Sequence, residues 1–229
     1  MKHKYIIALF CIFMFITVIC INSSKEVQVK ETFSSIQTKA FCNVLTIKEN
    51  SDKYDIEVFY PETKYEQLNK IIKDKIDTYI SDFKKEANEN IVKSTLIIKF
   101  DSYEYKEYVS YLFRNVVDFG GAHPNTYSSS VNFDTKKLKE ITIKDLIQKN
   151  KKFLLFLSEF AFDNLKNVKD MIKGNDFTML KDGTLPKQEN FQNFVFDKDG
   201  IKFFFDRYQV APYYLGEFNV IVPYDKVNI

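Results

Sequence analysis

Residues 54–100 read YDIEVFYPETKYEQLNKIIKDKIDTYISDFKKEANENIVKSTLIIKF, and this stretch decides the fold class. Residues 54–60 alternate in polarity and end at Pro61, which predicts a β-strand closed by a turn. Residues 91–100 predict a second strand. Between Tyr65 and Asn88 the apolar residues recur at helical spacing with a charged opposite face, which predicts an amphipathic helix. These apolar residues are Leu68, Ile71, Ile72, Ile76, Tyr79, Ile80, Phe83 and Ala87.

The remaining segments follow in clusters rather than in strict alternation. Residues 103–117 have the period of one long strand, and a second, strongly apolar helix is predicted over 151–168. Further strands are predicted at 127–134, 191–196, 201–206 and 218–222, with a helix start near 142–145. This order predicts an α+β fold, a single compact domain with a mainly antiparallel sheet and two long helices.

The N-terminus has the order of an export signal. Met1-Lys2-His3-Lys4 precedes 17 uncharged residues, Tyr5–Ile21, a length between a signal h-region and a spanning helix. No A-x-A cleavage site follows, and Cys20 with Ser23 and Ser24 behind it resembles a lipoprotein processing site. A retained anchor, a lipid on Cys20 and simple cleavage all remain open for residues 1–21. Residues 22–37 are mostly polar and predict a tether to the membrane surface.

The charge balance and the cysteine count argue against a nucleic-acid partner and against a disulfide. Without Lys2 and Lys4, the 33 basic residues fall to 31, which matches the 31 acidic residues. This neutral balance argues against a nucleic-acid partner, which requires a basic surface. Cys42 is the only cysteine beyond the hydrophobic segment, so no disulfide is predicted inside the domain.

The exported part has few of the groups that enzymes use. His123 is its only histidine, and H-E-x-x-H, G-x-S-x-G and phosphate-loop motifs are absent from the sequence. A zinc site usually takes three or four Cys, His or carboxylate ligands, so no metal and no cofactor are predicted. We expect a protein that is not an enzyme, although scattered carboxylates leave a glycosidase-like pair open.

The segment Gly120-Gly121-Ala122-His123-Pro124-Asn125 specifies an unusual loop. Two glycines allow positive φ, and Pro124 restricts His123 to extended geometry. One interpretation is a tight hairpin in which His123 caps backbone groups. The other is a loop that contacts a ligand through His123 and Asn125.

A second unusual segment runs from Asp206 to Gly216 (DRYQVAPYYLG) and is followed by Val222-Pro223-Tyr224. Prolines and a glycine among aromatic residues predict a rigid, irregular connection. One interpretation is a packed corner in which the backbone satisfies the tyrosine hydroxyls. The other is a binding face lined by Tyr208, Tyr213 and Tyr214, because tyrosine combines apolar area with a polar tip.

These two motifs together resemble a bacterial extracytoplasmic family. That family includes the exported region of RsiV, a lysozyme-receptor anti-sigma factor, and the N-terminal non-catalytic region of the peptidoglycan deacetylase PdaC. The residues that carry the resemblance are Gly120 to Asn125, Asn132, Phe133, Asp134, Asp145, Leu146, Ile147, Asp206, Tyr208, Val210, Ala211, Pro212, Tyr213, Gly216, Pro223 and Tyr224.

The resemblance implies an arrangement and a role. It implies a PdaC-like subdomain at 38–118 and a GGAHP-type subdomain at 119–229 of the same globular unit. Only four residues precede the hydrophobic segment and no deacetylase domain follows Ile229, so we expect neither the anti-sigma role nor the deacetylase activity. We expect a membrane-tethered module at the cell envelope that binds a lysozyme-type protein or peptidoglycan. The alternatives are a structural envelope lipoprotein without a diffusible ligand and a cell-wall hydrolase.

Overall fold

The computed structural model describes residues 42–150, 152–168 and 177–227. The predicted anchor at 1–21 with Cys20, and the predicted tether at 22–37, lie outside these residues. Within the described ranges, no helix is both long enough and apolar enough to cross a bilayer.

A strand–helix–strand unit forms the first half of the fold, as the sequence predicts. β2 (Tyr54–Glu62) leads into α1 (Glu66–Glu89), and β3 (Ser94–Tyr105) returns parallel to β2. Helix α1 crosses over one face of the sheet because its apolar stripe has a partner there. The buried residues of this helix are Leu68, Ile72, Ile76, Ile80, Phe83 and Ala87.

Four further strands complete a six-stranded sheet. They are β1 (Asn43–Asn50), β4 (Tyr108–Asp118), β5 (Asn125–Asp134) and β6 (Lys139–Glu140). The strands lie in chain order, and every neighbouring pair except β2–β3 is antiparallel. The predicted boundary between residues 118 and 119 therefore falls between β4 and β5, two hydrogen-bonded neighbours of this sheet.

The C-terminal third builds a second, three-stranded antiparallel sheet and its helices. The strands are β7 (Phe194–Asp197), β8 (Gly200–Phe205) and β9 (Phe218–Val222). The helices are α2 (Ile143–Lys149), α3 (Phe153–Leu165) and α4 (Thr178–Gly183). Together with the first sheet, these elements confirm the α+β prediction.

Side chains along β7 and β8 alternate between the two faces of the three-stranded sheet and so contribute to two different clusters. Phe194, Phe196 and Phe203 lie on one face of the three-stranded sheet, in a core that includes Leu157 of α3. Val195 and Phe204 point the other way and meet Leu112 of β4. The two sheets therefore contact each other here, while α1 packs in the core of the first sheet and α3 in the core of the second.

Side chains of the first sheet hydrogen-bond to the outer edge of β7. The Asn132 amide donates to the Phe194 carbonyl oxygen at 2.9 Å. The Phe194 N–H donates to Ser130 Oγ, and the Phe196 N–H donates to Ser110 Oγ, each at 3.1 Å. An edge strand exposes backbone groups that need partners, and here polar side chains of β4 and β5 supply them.

Two details of the sequence interpretation are wrong. The predicted strand over 103–117 is broken by a turn at Lys106 and Glu107, so β3 and β4 form a hairpin. Lys106 takes a φ of 52° in this turn, a conformation usually taken by glycine or asparagine. Strand β1 was not predicted, because its side chains are mostly exposed and leave a weak apolar pattern.

Candidate functional site

Two loops meet at one end of β5. The first, residues 119–124, joins β4 to β5, and the second, residues 206–217, joins β8 to β9. Asp206 links the second loop to the first sheet, because its Oδ1 accepts a hydrogen bond from the Ser128 N–H at 2.8 Å. Segments far apart in the chain are thus held side by side.

The rings of His123, Tyr208 and Tyr213 form an aromatic cluster where the loops touch. The His123 ring stacks on that of Tyr213, with centroids 3.9 Å apart and an interplanar angle of 22°. The Tyr208 ring lies 5.4 Å from Tyr213 and 6.4 Å from His123. Tyr213 Oη also donates to the Pro124 carbonyl oxygen at 3.3 Å, so both hypotheses, a packed corner and an aromatic face, describe part of the arrangement.

Tyr208 is held in a left-handed backbone conformation while its side chain faces solvent. Its φ is 68° and the residue is 57% exposed. A bulky residue at positive φ is an outlier, and such strain costs about 1–3 kcal/mol. Tyr214 is 80% exposed, follows directly after Tyr213, and makes no ring contact within the described residues.

Only one of the two adjacent glycines in the first loop adopts a positive φ. Gly120 takes a φ of 78°, and a Cβ there would lie 2.3 Å from Val92 Cγ2. Gly121 is not at positive φ, which corrects the expectation that both glycines supply that conformation. In the second loop, Gly216 takes a φ of 81° and ends the 3₁₀ turn that follows Pro212.

Helix α4 braces the second loop from beneath. The Gln209 amide donates to the carbonyl oxygens of Gly183 and Asn190, at 3.3 Å and 2.9 Å, and its Oε1 accepts from the Asp206 N–H. A Cβ on Gly183 would lie 2.0 Å from the Gln209 carbonyl oxygen. Only glycine therefore allows the helix and the loop to approach this closely.

Charged groups lie next to the cluster. The Arg207 guanidinium lies 4.6 Å from the centroid of the Tyr213 ring, a cation–π distance. Arg114 of β4 pairs with Asp101 at 3.1 Å and with Glu217. Burial raises the pKa of the Asp206 carboxyl to about 6, against the opposing effect of the Ser128 N–H.

The surroundings of the His123 imidazole define what the aromatic cluster offers to another molecule. His123 Nδ1 lies 3.1 Å from the Pro124 carbonyl oxygen, and among the described residues the imidazole makes no hydrogen bond to a carboxylate or a nucleophile. Within the same ranges, no group of three or more His, Cys, Asp or Glu residues is placed to hold a metal. The cluster instead presents exposed aromatic area beside an arginine.

The structure brings together some predicted site residues and separates others. His123, Tyr208 and Tyr213 meet, whereas Asn125 is exposed and begins β5. Asp145 lies in a different region, where it forms a capping box with Thr142 at the start of α2. Sequence reasoning missed Gly183 as a packing residue, since the hydrophobic pattern of a short helix does not reveal a backbone contact to a distant loop.

Comparisons with known proteins agree with the family resemblance. Residues 144–225 match the family described as "Protein of unknown function (DUF3298)". The peptidoglycan-N-acetylmuramic acid deacetylase PdaC of Bacillus subtilis is 30% identical over 185 residues, which cover 78% of this chain and 39% of that protein. The chain thus spans about two fifths of the length of this curated relative.

Two solved structures share the fold. A DUF3298 family protein of Pseudomonas aeruginosa superposes with a TM-score of 0.59 at 14% identity, covering 82% of this chain and 92% of its own. A member of the same family from Bacteroides fragilis gives 0.54 at 17% identity, covering 80% and 90%. These two likenesses concern the fold, and the suspected resemblance is confirmed by the match of residues 144–225 and by the similarity to PdaC.

Proposed function

We propose that this chain, whose residues 144–225 form a DUF3298 domain, is a non-catalytic module that binds a protein partner at the outer face of the cytoplasmic membrane. The contact surface is the aromatic cluster together with Tyr214. A lysozyme-type protein is the partner that the resemblance to the exported region of RsiV favours.

The observation that carries this proposal is the geometry of Tyr208. The fold accepts a strained φ of 68° at a residue whose side chain is 57% exposed. Packing of the Tyr208 side chain does not offset this backbone strain, because a mostly exposed side chain contributes little free energy of burial. Strained backbone concentrates at sites of function, and exposed tyrosines are frequent energetic centres of protein interfaces.

The surroundings of the cluster support binding by shape. The exported part is formally neutral, so long-range attraction to a charged partner is weak. Recognition then rests on the aromatic area and on Arg207 beside Tyr213. The relative in Bacillus subtilis acts, by its name, on peptidoglycan N-acetylmuramic acid, and this makes wall glycan the competing partner in the experiment.

Location is part of the proposal. A membrane-tethered product is supported by the N-terminus, where Lys2 and Lys4 precede the uncharged run Tyr5–Ile21. Cell fractionation should recover the full chain with the membranes. Recovery of the native protein free in the culture medium would contradict the tether.

Calorimetry with the purified full chain tests the partner. We expect saturable binding to a lysozyme-type protein with modest salt sensitivity, and tenfold or greater weakening in Tyr214→Ser, which is about 1.4 kcal/mol. Leu155→Ser is the control, because Leu155 is 53% exposed on α3 rather than in either loop.

Other results of the calorimetry would support a different partner, a different mode of recognition or no partner. Binding of soluble peptidoglycan fragments alone would replace the protein partner with wall glycan. Affinity that collapses with salt but ignores the Tyr214 substitution would show that charge carries recognition. Absence of binding to both probes would overturn the proposal in favour of a structural envelope protein.

A further inference from the structure

A second site lies at the opposite end of β5 from the aromatic cluster. A cavity of about 240 Å³ opens between the β5–β6 turn, α2 and β7. β5 has ten residues, so the two ends are roughly 30 Å apart at 3.3–3.4 Å per residue. The cavity therefore shares no residue with the surface discussed above.

The floor of the cavity is apolar and is built by both sheets. The rings of Tyr108 from β4 and Phe196 from β7 are stacked, with centroids 4.0 Å apart and an interplanar angle of 16°. Ile141 and Leu146 complete the floor, and both are buried. Such a floor favours an occupant with an apolar body.

The rim is basic, and most of its charge is compensated. Lys139 Nζ lies 3.0 Å from Asp145 Oδ1, and Lys137 Nζ lies 3.5 Å from Asp134 Oδ2. Lys149, in the last turn of α2, makes no ion pair with any residue that the structure describes. Lys149 thus lines the cavity without a counter-charge among the described residues, and Gln148 beside it in the chain also lines the cavity.

We propose that this cavity binds a small organic monocarboxylate, with the apolar body on the Tyr108–Phe196 floor and the carboxylate at Lys149. One uncompensated cation matches a single negative charge better than the double charge of a phosphate monoester. A water molecule occupies about 30 Å³ of liquid volume, so the space holds a body of roughly eight to ten non-hydrogen atoms. Gln148 donates a hydrogen bond to the second carboxylate oxygen.

Ligand-observed NMR titration of the purified full chain tests the chemistry of the occupant. Phenylacetate is the probe, phenylacetamide is its uncharged counterpart, and benzylphosphonate carries the additional charge. We expect saturable binding of phenylacetate, with the amide at least tenfold weaker. Equal affinity for the acid and the amide would overturn the proposal, as would tighter binding of the phosphonate or absence of saturation with phenylacetate.

A pair of lysine variants assigns the binding to the cavity. Lys149→Gln should weaken phenylacetate at least tenfold. Lys144→Gln should leave the affinity unchanged, because Lys144 is exposed on the same helix but does not line the cavity. Both positions are exposed, so both variants should fold. An unchanged affinity in Lys149→Gln, or equal losses in the two variants, would refute the assignment.

Discussion

The imidazole of His123 lies almost parallel to the phenol ring of Tyr213, with ring centroids 3.9 Å apart. This contact joins the loop after β4 to the loop after β8, so it connects the two sheets at the rim of the proposed binding surface. It also fixes where Tyr213 points, since the hydroxyl of the same ring donates to the Pro124 carbonyl oxygen. A substitution at His123 should therefore destabilise both loops.

We expect His123→Ala to lower the free energy of unfolding by about 1–2 kcal/mol, because an aromatic stack and a polar contact are lost together. His123→Phe should keep the stack and recover at least half of the loss. Chemical denaturation of both variants measures this. A hydrolytic activity that disappears in His123→Ala at unchanged stability would contradict the structural role of this residue.

Tyr208→Gly should separate stability from binding. Glycine adopts positive φ without a steric penalty, so we expect the free energy of unfolding to stay equal or to rise by about 1 kcal/mol. Partner affinity should fall at least tenfold, because the exposed ring is gone. Calorimetry and denaturation on the same samples measure both quantities.

Leu138→Gly is the matched control for that substitution. Leu138 has a φ of 51° and is 45% exposed in the turn before β6, so glycine should relieve the same kind of strain without changing partner affinity. Loss of affinity in both variants would show that altered loop backbone, rather than the Tyr208 ring, weakens binding.

Asp206→Asn should change how stability depends on pH. The pKa of this carboxyl is raised from 3.8 to about 6 in the folded state. The folded state therefore holds the proton more tightly, and the stability from Asp206 is fully present below pH 3.8 and is lost as pH rises through about 6. The loss is at most about 3 kcal/mol.

The comparison of variants isolates this effect. Lowered pKa values at Asp134 and Asp145 give the opposite slope in the whole protein, so the difference between wild type and Asp206→Asn is the relevant quantity. That difference should change between pH 4 and pH 6 in denaturation experiments. The exposed Asp199→Asn is the control and should change little. Parallel profiles for wild type and Asp206→Asn would contradict the assignment.

Asn132→Ala should destabilise the contact between the sheets. Asn132 is 2% exposed, and its amide donates to the Phe194 carbonyl oxygen on the β7 edge. Removal of the amide leaves a backbone acceptor without its partner, which costs about 1–3 kcal/mol. Thermal unfolding measures this, with the exposed Asn164→Ala on α3 as control. Equal melting temperatures for both variants would contradict the role of Asn132.

The helix α1 and its flanking strands were predictable because burial on one face imposes a period on the sequence. The turn at Lys106 was not predictable, since its φ of 52° occurs without the glycine or asparagine that usually signals a turn. Strand β1 was missed for a different reason, a weak hydrophobic pattern. It lies at the edge of the sheet, where exposure weakens the alternation of apolar residues.

Both loops of the binding surface were recognisable from local sequence, because each combines glycine and proline with aromatic residues in one short segment. Their meeting depends on how β5 and β8 are placed, and the bond from Ser128 to Asp206 has no local signature. The cavity at Lys149 was missed for the same reason. Its floor takes one ring from each sheet, and neither Tyr108 nor Phe196 is unusual within its own strand.

The side-chain partners of the β7 edge bear on how the protein folds. Ser110 and Asn132 are opposite each other on the paired strands β4 and β5, and both hydrogen-bond to the β7 backbone. The β7 edge therefore has all of these side-chain partners only when β4 and β5 are in place. This dependence favours a single cooperative transition over stepwise melting of two halves. It also means that truncation within β5 would leave β7 with an open edge that can pair with another chain.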